Sequence, residues 1–152
     1  MIGVAFFVFI FAILTVSIDQ FWQMTLDDAV RNATRQVQIG NVTTGPQFVS
    51  SICKEFGLAA PYCSNNLQYS VVGGSAFSGA SGISPAAFSA SGTLSPGNQF
   101  NTPSLSATGS PQFLLVQVAY PLPFRALAVS GGVATENGTP SLLSSVATAM
   151  EP

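Results

Sequence analysis

At 152 residues the chain has room for one membrane anchor and one compact domain, and its composition is 47% hydrophobic and only 7% charged, far below the roughly 25% charged of a soluble domain. Four Lys and Arg against six Asp and Glu leave a net charge of -2, with no basic cluster to neutralise a run of phosphates, so no nucleic-acid partner is expected. The absence of His removes the commonest general base and the commonest metal ligand, so the chain is read as non-catalytic, with no cofactor and no bound metal.

The first element is an anchor. Ile2 through Ile18 carries no charge, and only Gly3, Thr15 and Ser17 interrupt a row of Val, Ala, Phe, Ile and Leu. Continued to Phe21 and Trp22, the helix gains an interfacial aromatic pair and is long enough to cross a hydrocarbon core of about 30 Å. A transmembrane anchor is therefore predicted over 1–22, with the remaining 23–152 forming an extracytoplasmic domain. A cleaved signal peptide would offer a basic start and a small-residue cleavage site, whereas this segment opens on Met1-Ile2-Gly3 and is followed by Ser17-Ile18-Asp19-Gln20-Phe21-Trp22. A buried helix of a soluble protein would need a core able to surround Phe side chains on every face, which a chain this small does not offer. Charge alone does not decide orientation, since no Lys or Arg precedes the span and Arg31 and Arg35 follow it. The N-terminus is placed inside because the two cysteines and a long Ser/Gly-rich stretch suit an exported domain.

Beyond the span, apolar residues recur at Trp22, Leu26, Ala29, Val30, Ala33 and Val37 with no Pro or Gly before Gly40, the spacing of one helical face. Residues 2–39 are predicted as one rod, about 55 Å long at 1.5 Å per residue, ended by Gly40. A short second helix follows, with Pro46 in its first turn and the stripe Phe48, Ile52 and Phe56. It carries Cys53. Cys63 precedes an alternating run, Leu67 to Val71, read as a strand with one polar face. A Cys53–Cys63 disulfide is expected to staple helix to strand. A redox pair is the alternative, but it would favour a Cys-X-X-Cys spacing or basic surroundings.

Residues 73–111 are uncharged and dominated by Ser, Gly, Ala, Thr, Asn and Pro, and read as a long loop ordered where Phe77, Phe88 and Phe100 dock. Phe113 to Tyr120 is strand-like and is broken by Pro121 and Pro123; Leu122 to Val129 is a helical or loop excursion. Turns are expected at Gly131-Gly132 and Asn137-Gly138, and a closing strand over Leu142 to Met150. The predicted fold is α+β: a long N-terminal transmembrane helix continuing into a domain with a small, mostly antiparallel sheet and one disulfide. Asn32, Asn41 and Asn137 stand in Asn-X-Thr triplets, a pattern common by chance.

Catalytic constellations do not assemble. The many Ser and Thr have no His to activate them, the sole Lys, Lys54, is outside any Ser-X-X-Lys pattern, and no glycine loop precedes a Lys-Ser/Thr pair. Asp27 and Asp28 precede Arg31 by four and three residues, the spacing of an exposed helical face.

An apolar span, Asp19 at its outer edge, Trp22, and then QMTLDDAVRNATRQVQIG over 23–40 resemble the start of TadE-like proteins of the Tad pilus assembly system. Phe48 to Cys53, Cys63, a strand from Asn66-Leu67, a variable Ser/Gly/Phe loop, Val-Gln-Val-Ala-Tyr120-Pro121 and a terminal LLSSVATAMEP follow in that family's order, so the resemblance covers nearly the whole chain. It implies a pseudopilin-like protein of the bacterial inner (cytoplasmic) membrane with a periplasmic C-terminal domain, acting by assembly with pilus machinery or other transmembrane helices. Phe7, Phe11, Thr15, Ser17, Trp22 and Leu26 are the candidate contacts with membrane lipid or partner helices. Thr15 and Ser17 suit close helix packing, or they face lipid on a lone anchor. One departure is plain: where the family commonly has a basic stretch and a Gly before an apolar helix that carries a Glu, Gly3 is followed here by Val4-Ala5-Phe6-Phe7-Val8. That departure raises a second expectation, an accessory subunit of an unrelated respiratory, photosynthetic or transport complex.

Overall fold

A computed structural model describes residues 2–56, 60–76, 82–89, 93–102, 112–122, 133–134 and 140–150. The anchor and the amphipathic segment form one helix, α1 (Ile2–Gln38), uninterrupted because nothing in it breaks the backbone ladder after Gly3. Gly40 ends it at φ +75°, with Gly40 N–H donating to Val37 O (3.1 Å) and Asn41 N–H to Gln36 O (3.0 Å), the paired bonds of a Schellman terminus. The second helix, α2 (Gly45–Glu55), carries Pro46 in its first turn, and Gln47 Oε1 accepts from the Thr43 N–H at 3.1 Å. A third, α3 (Ala60–Asn66), holds Cys63, so the disulfide joins two helices rather than a helix and a strand. The short polar run before Leu67 closes a helical turn through Leu67 N–H to Cys63 O at 2.9 Å, which composition did not foretell.

Among the described residues seven strands follow: β1 (Gln68–Gly74), β2 (Ala87–Phe88), β3 (Leu94–Ser95), β4 (Gln99–Asn101), β5 (Gln112–Pro121), β6 (Val133–Ala134) and β7 (Pro140–Met150). Five form one sheet in the order β4-β1-β5-β7-β6, antiparallel throughout except that β4 runs parallel to β1. The sheet is thus mostly antiparallel, as its alternating runs imply, and the fold is α+β. Register places Val71 opposite Val116 and Val116 opposite Val146, so one face gathers Val71, Leu114, Val116, Val118, Tyr120 and Leu142. The helices cover that face, α1 through Leu26, Ala29, Val30, Ala33 and Val37, and α2 through Phe48, Ile52 and Phe56, all of them buried.

The opposite face belongs to the stretch read as a loop. Its described parts make the β2–β3 hairpin and β4, and Ala86 and Leu94 pack on Ala119 with Phe88 and Leu143 beside them. What seats the hairpin is polar. Gln117 accepts from the Ala86 N–H (2.7 Å) and donates to the Ala86 carbonyl (3.3 Å), and Gln68 accepts from the Leu94 N–H (2.8 Å). Gln68 and Gln117, the polar alternates of two strands, are therefore hairpin clamps rather than solvent-facing residues. Phe100 docks by its ring, 6.1 Å from Phe48, as the Phe-docking expectation has it. Phe77, the turns at 131–132 and 137–138, and residues 123–129 lie outside the described residues.

Helix α1 also guards the sheet edge. Beyond the short pairing with β6, no strand among the described residues continues along β7, and α1 lies there instead. Gln23 donates to Leu143 O (2.7 Å) at one end, and Gln38 donates to Thr148 Oγ1 (2.7 Å) and Ala149 O (3.3 Å) at the other, so an edge open to strand addition is covered.

Gln117→Ala leaves the Ala86 N–H and C=O without their side-chain partner, and is expected to destabilise the domain by about 1–3 kcal/mol and to speed hydrogen exchange at Ala86. Denaturant titration and exchange of the Ala86 amide check both; unchanged exchange would mean the hairpin is seated by its apolar contacts alone.

Candidate functional site: the anchor and the aromatic collar beneath the domain

The lower half of α1 stands clear of the domain. Val4, Phe6, Phe7, Val8, Phe9, Phe11, Ile13, Leu14 and Ile18 are all exposed, on every side of the helix. One helix near the N-terminus is long and apolar enough to cross a membrane, with a window of mean hydropathy 1.6 of which none is buried. Apolar surface of that extent on one helix is stable in hydrocarbon and costly in water.

The hydroxyls within the span turn back on the helix. Thr15 Oγ1 donates to Phe11 O at 2.7 Å and Ser17 Oγ to Ile13 O at 2.8 Å, which satisfies both donors without water. Their part in helix contact is small size, with the hydrogen-bonding capacity already used. Phe7 and Phe11 present their rings outward.

At the top of the span the residues divide. Trp22 stacks on Phe56 with centroids 5.7 Å apart and planes 10° apart, Phe56 meets Tyr120 at 5.1 Å, and Tyr120 meets Tyr62 edge-on at 6.2 Å. This aromatic collar joins α1, α2, α3 and the end of β5. Leu26, one turn above Trp22, is fully buried inside the domain, so its side chain is out of reach of lipid and of any partner helix. The cause is the stripe it shares with Val30, Ala33 and Val37, whose closest covering surface is the chain's own sheet. Phe21, beside Trp22, faces outward at 66% exposure. The disulfide lies next to the collar: Cys53 and Cys63, with Cα atoms 5.6 Å apart, tie α2 to α3 and both cysteines are buried.

Two groups at this level are not among the candidate contacts read from the sequence. The Tyr120 hydroxyl is enclosed without a hydrogen-bond partner, and burial, reinforced by the neighbouring Tyr62, holds its pKa above the usual phenol value. Asp19, three residues before Trp22, has both carboxylate oxygens enclosed and unpartnered. The sequence places an acid at the edge of the span; only the packing shows that it has no donor.

Elsewhere, an open cleft of about 630 Å³ between α2, α3 and the turn at Asn98 is lined by Ser50, Lys54, Leu67 and Tyr69 among others. Among the described residues Lys54 is the one charge on its wall. No group of three or more His, Cys, Asp or Glu able to hold a metal occurs among the described residues. Comparison with protein-family models, curated proteins and solved structures finds no match to this chain.

Replacing both cysteines, Cys53→Ser with Cys63→Ser, is expected to lower stability by about 2–3 kcal/mol, from the loop that the bridge closes in the unfolded chain. Comparing oxidised and reduced wild-type protein in denaturant should reproduce the same loss. Because folding raises the Tyr120 pKa, its contribution is fully present below the unfolded value of about 10 and is lost as pH rises through the folded value. Tyr120→Phe should remove a high-pH step from the phenolate absorption titration and flatten the stability loss above about pH 10.

Proposed function

We propose that this chain is a non-catalytic, single-pass membrane subunit of the TadE-like kind, rooted in a bacterial cytoplasmic membrane with its domain on the periplasmic side, that acts in assembling a Tad-type pilus or related envelope structure. The observation that carries the reading is the continuity of α1. One helix is bare and apolar on all sides up to Ile18, and from Trp22 onward becomes the wall of a folded domain. Such a design holds a rigid domain at a set height over the bilayer, which suits lateral assembly with other membrane chains. The order of sequence segments described above supports the family reading, and the buried disulfide suits an oxidising compartment. Nothing in the chain's chemistry favours nucleic acid as a partner.

The second reading, an accessory subunit of an unrelated membrane complex, is favoured by one observation: Gly3 is followed by Val4-Ala5-Phe6-Phe7-Val8 where the family commonly carries a Glu. The two readings part in a clean gene deletion. The pilus role expects loss of surface filaments and of adhesion, restored by the wild-type gene. Intact filaments, with the chain migrating in mild detergent as a fixed component of one large complex, would replace the first reading with the second.

A further inference from the structure

We propose that the aromatic collar is a lipid-contact belt: Phe21 and Met24 on the outer side of α1, and Tyr62 on α3, lie at the boundary between acyl chains and headgroups of one leaflet, so the domain rests in the bilayer surface. The proposal rests on the anchor lying in a membrane, and it adds which part of the domain touches lipid.

The exposed apolar surface is confined in height. Above Ile18, the large apolar side chains exposed among the described residues are Phe21, Met24 (65%), Tyr62 (39%) and Ile39, the last beyond the far end of α1. Phe21 and Met24 follow Ile18 at steps of three residues, so they carry the bare surface of the anchor nearly two turns further. Asp28 and Arg31, four and seven residues after Met24, are the next exposed residues on that side, and there the apolar face gives way to charge.

Tyr62 lies at the same height. Strand β7 runs alongside α1, since Gln23 donates to Leu143 O and Gln38 to Ala149 O. Six strand residues (about 20 Å) match fifteen helical ones (about 22 Å), so the two axes are nearly parallel and heights transfer from helix to strand. Tyr120 pairs with Leu142, one strand residue or about 3 Å nearer the anchor than Leu143, which is the height of Phe21. The exposed Tyr62 ring meets Tyr120 edge-on at 6.2 Å. Helix α3 packs on α2 and β5, and its Tyr62 is joined to Trp22 through Tyr120 and Phe56, so Phe21 and Tyr62 mark two different flanks of the molecule.

Exposed rings on two flanks at one height, continuous on one flank with a span long enough to cross a membrane, match a planar medium; a docked protein covers one flank. Tyr, with an apolar ring and a polar tip, suits the layer between hydrocarbon and water. The fold also leaves no clearance. The Asp19 carboxylate oxygens are enclosed three residues below Trp22, so the protein already covers the inner side of α1 beneath the height of Phe21.

The test uses the full chain in vesicles of phosphatidylcholine and phosphatidylglycerol whose acyl chains carry bromine near the headgroup. Trp22 is the sole Trp, so Trp22→Phe, which keeps a ring against Phe56, gives a background for single probes. In it, Met24→Trp and Tyr62→Trp should each lose about half or more of their emission to the brominated lipid, while Ile39→Trp, about 22 Å above Met24, should lose none. Wild-type protein in vesicles holding a phosphatidylcholine with a diazirine near its ester should form lipid adducts on the peptides that carry Phe21 and Tyr62, and none at Ile39. Tyr62→Trp emission no more quenched than that of Ile39→Trp, or wild-type adducts confined to α1, overturns the proposal. Loss of the Tyr62 adduct in native membranes loaded with the same lipid means that a protein covers this flank, and overturns it as well. The wild-type adducts decide by themselves if a variant fails to form the Cys53–Cys63 bridge on a non-reducing gel. Resistance to alkaline carbonate extraction tests the anchor separately: resistant protein without a Tyr62 adduct sinks the belt alone, and extracted protein sinks the membrane reading with it.

Discussion

A single unbroken backbone ladder running through α1 joins an apolar segment long enough to cross a membrane to the core of a folded domain. Beyond the first turn its lower part bonds the backbone polar groups within the helix, and the large side chains there are apolar and exposed on every side. Over its upper turns the same ladder carries apolar residues only along the stripe from Trp22 to Val37, and that stripe is the largest continuous wall of the core. With no Pro, and no Gly between Gly3 and Gly40, the helix has no sequence signal for a kink, so its apolar lower part and the domain share one continuous axis.

The domain is assembled around that wall with few resources. Its charge content is low, and the sheet has a separate solution on each face. One face is closed by interdigitated Val, Leu and aromatic side chains beneath the helices, with Ala29 and Ala33 keeping α1 close. The other is closed by side-chain amides that hold a short hairpin by its backbone. The exposed run of β7, which could otherwise recruit a foreign strand, is spanned by two glutamines of α1 fifteen residues apart in sequence. A small core accounts for the covalent tie between α2 and α3, since a domain of this size gains proportionally more from restricting its unfolded chain.

Functionally, the molecule divides at the aromatic collar. Below it, Phe7 and Phe11 are exposed apolar surface, while the Thr15 and Ser17 hydroxyls donate to the helix's own carbonyls. Above it, Leu26 and its stripe are consumed by the domain. At the junction Asp19, Tyr120 and Ser141 hold enclosed polar atoms with no hydrogen-bond partner among the described residues.

The sequence by itself determined the rod, its division into apolar and amphipathic halves, its stop at Gly40, the short helix behind Pro46, the strands around Val116 and Val146, and the cysteine pair. These are local or periodic properties, and hydrophobic spacing, helix breakers and turn residues report them directly. The tertiary structure alone decided that Cys63 sits on a helix, that the Ser/Gly-rich stretch returns as a hairpin and a parallel edge strand, and that Leu26 faces the core. It also decided that Asp19 is left without a donor. Those outcomes depend on side-chain amides meeting backbone far away in sequence and on which surfaces cover one another, and neither leaves a periodic trace in composition.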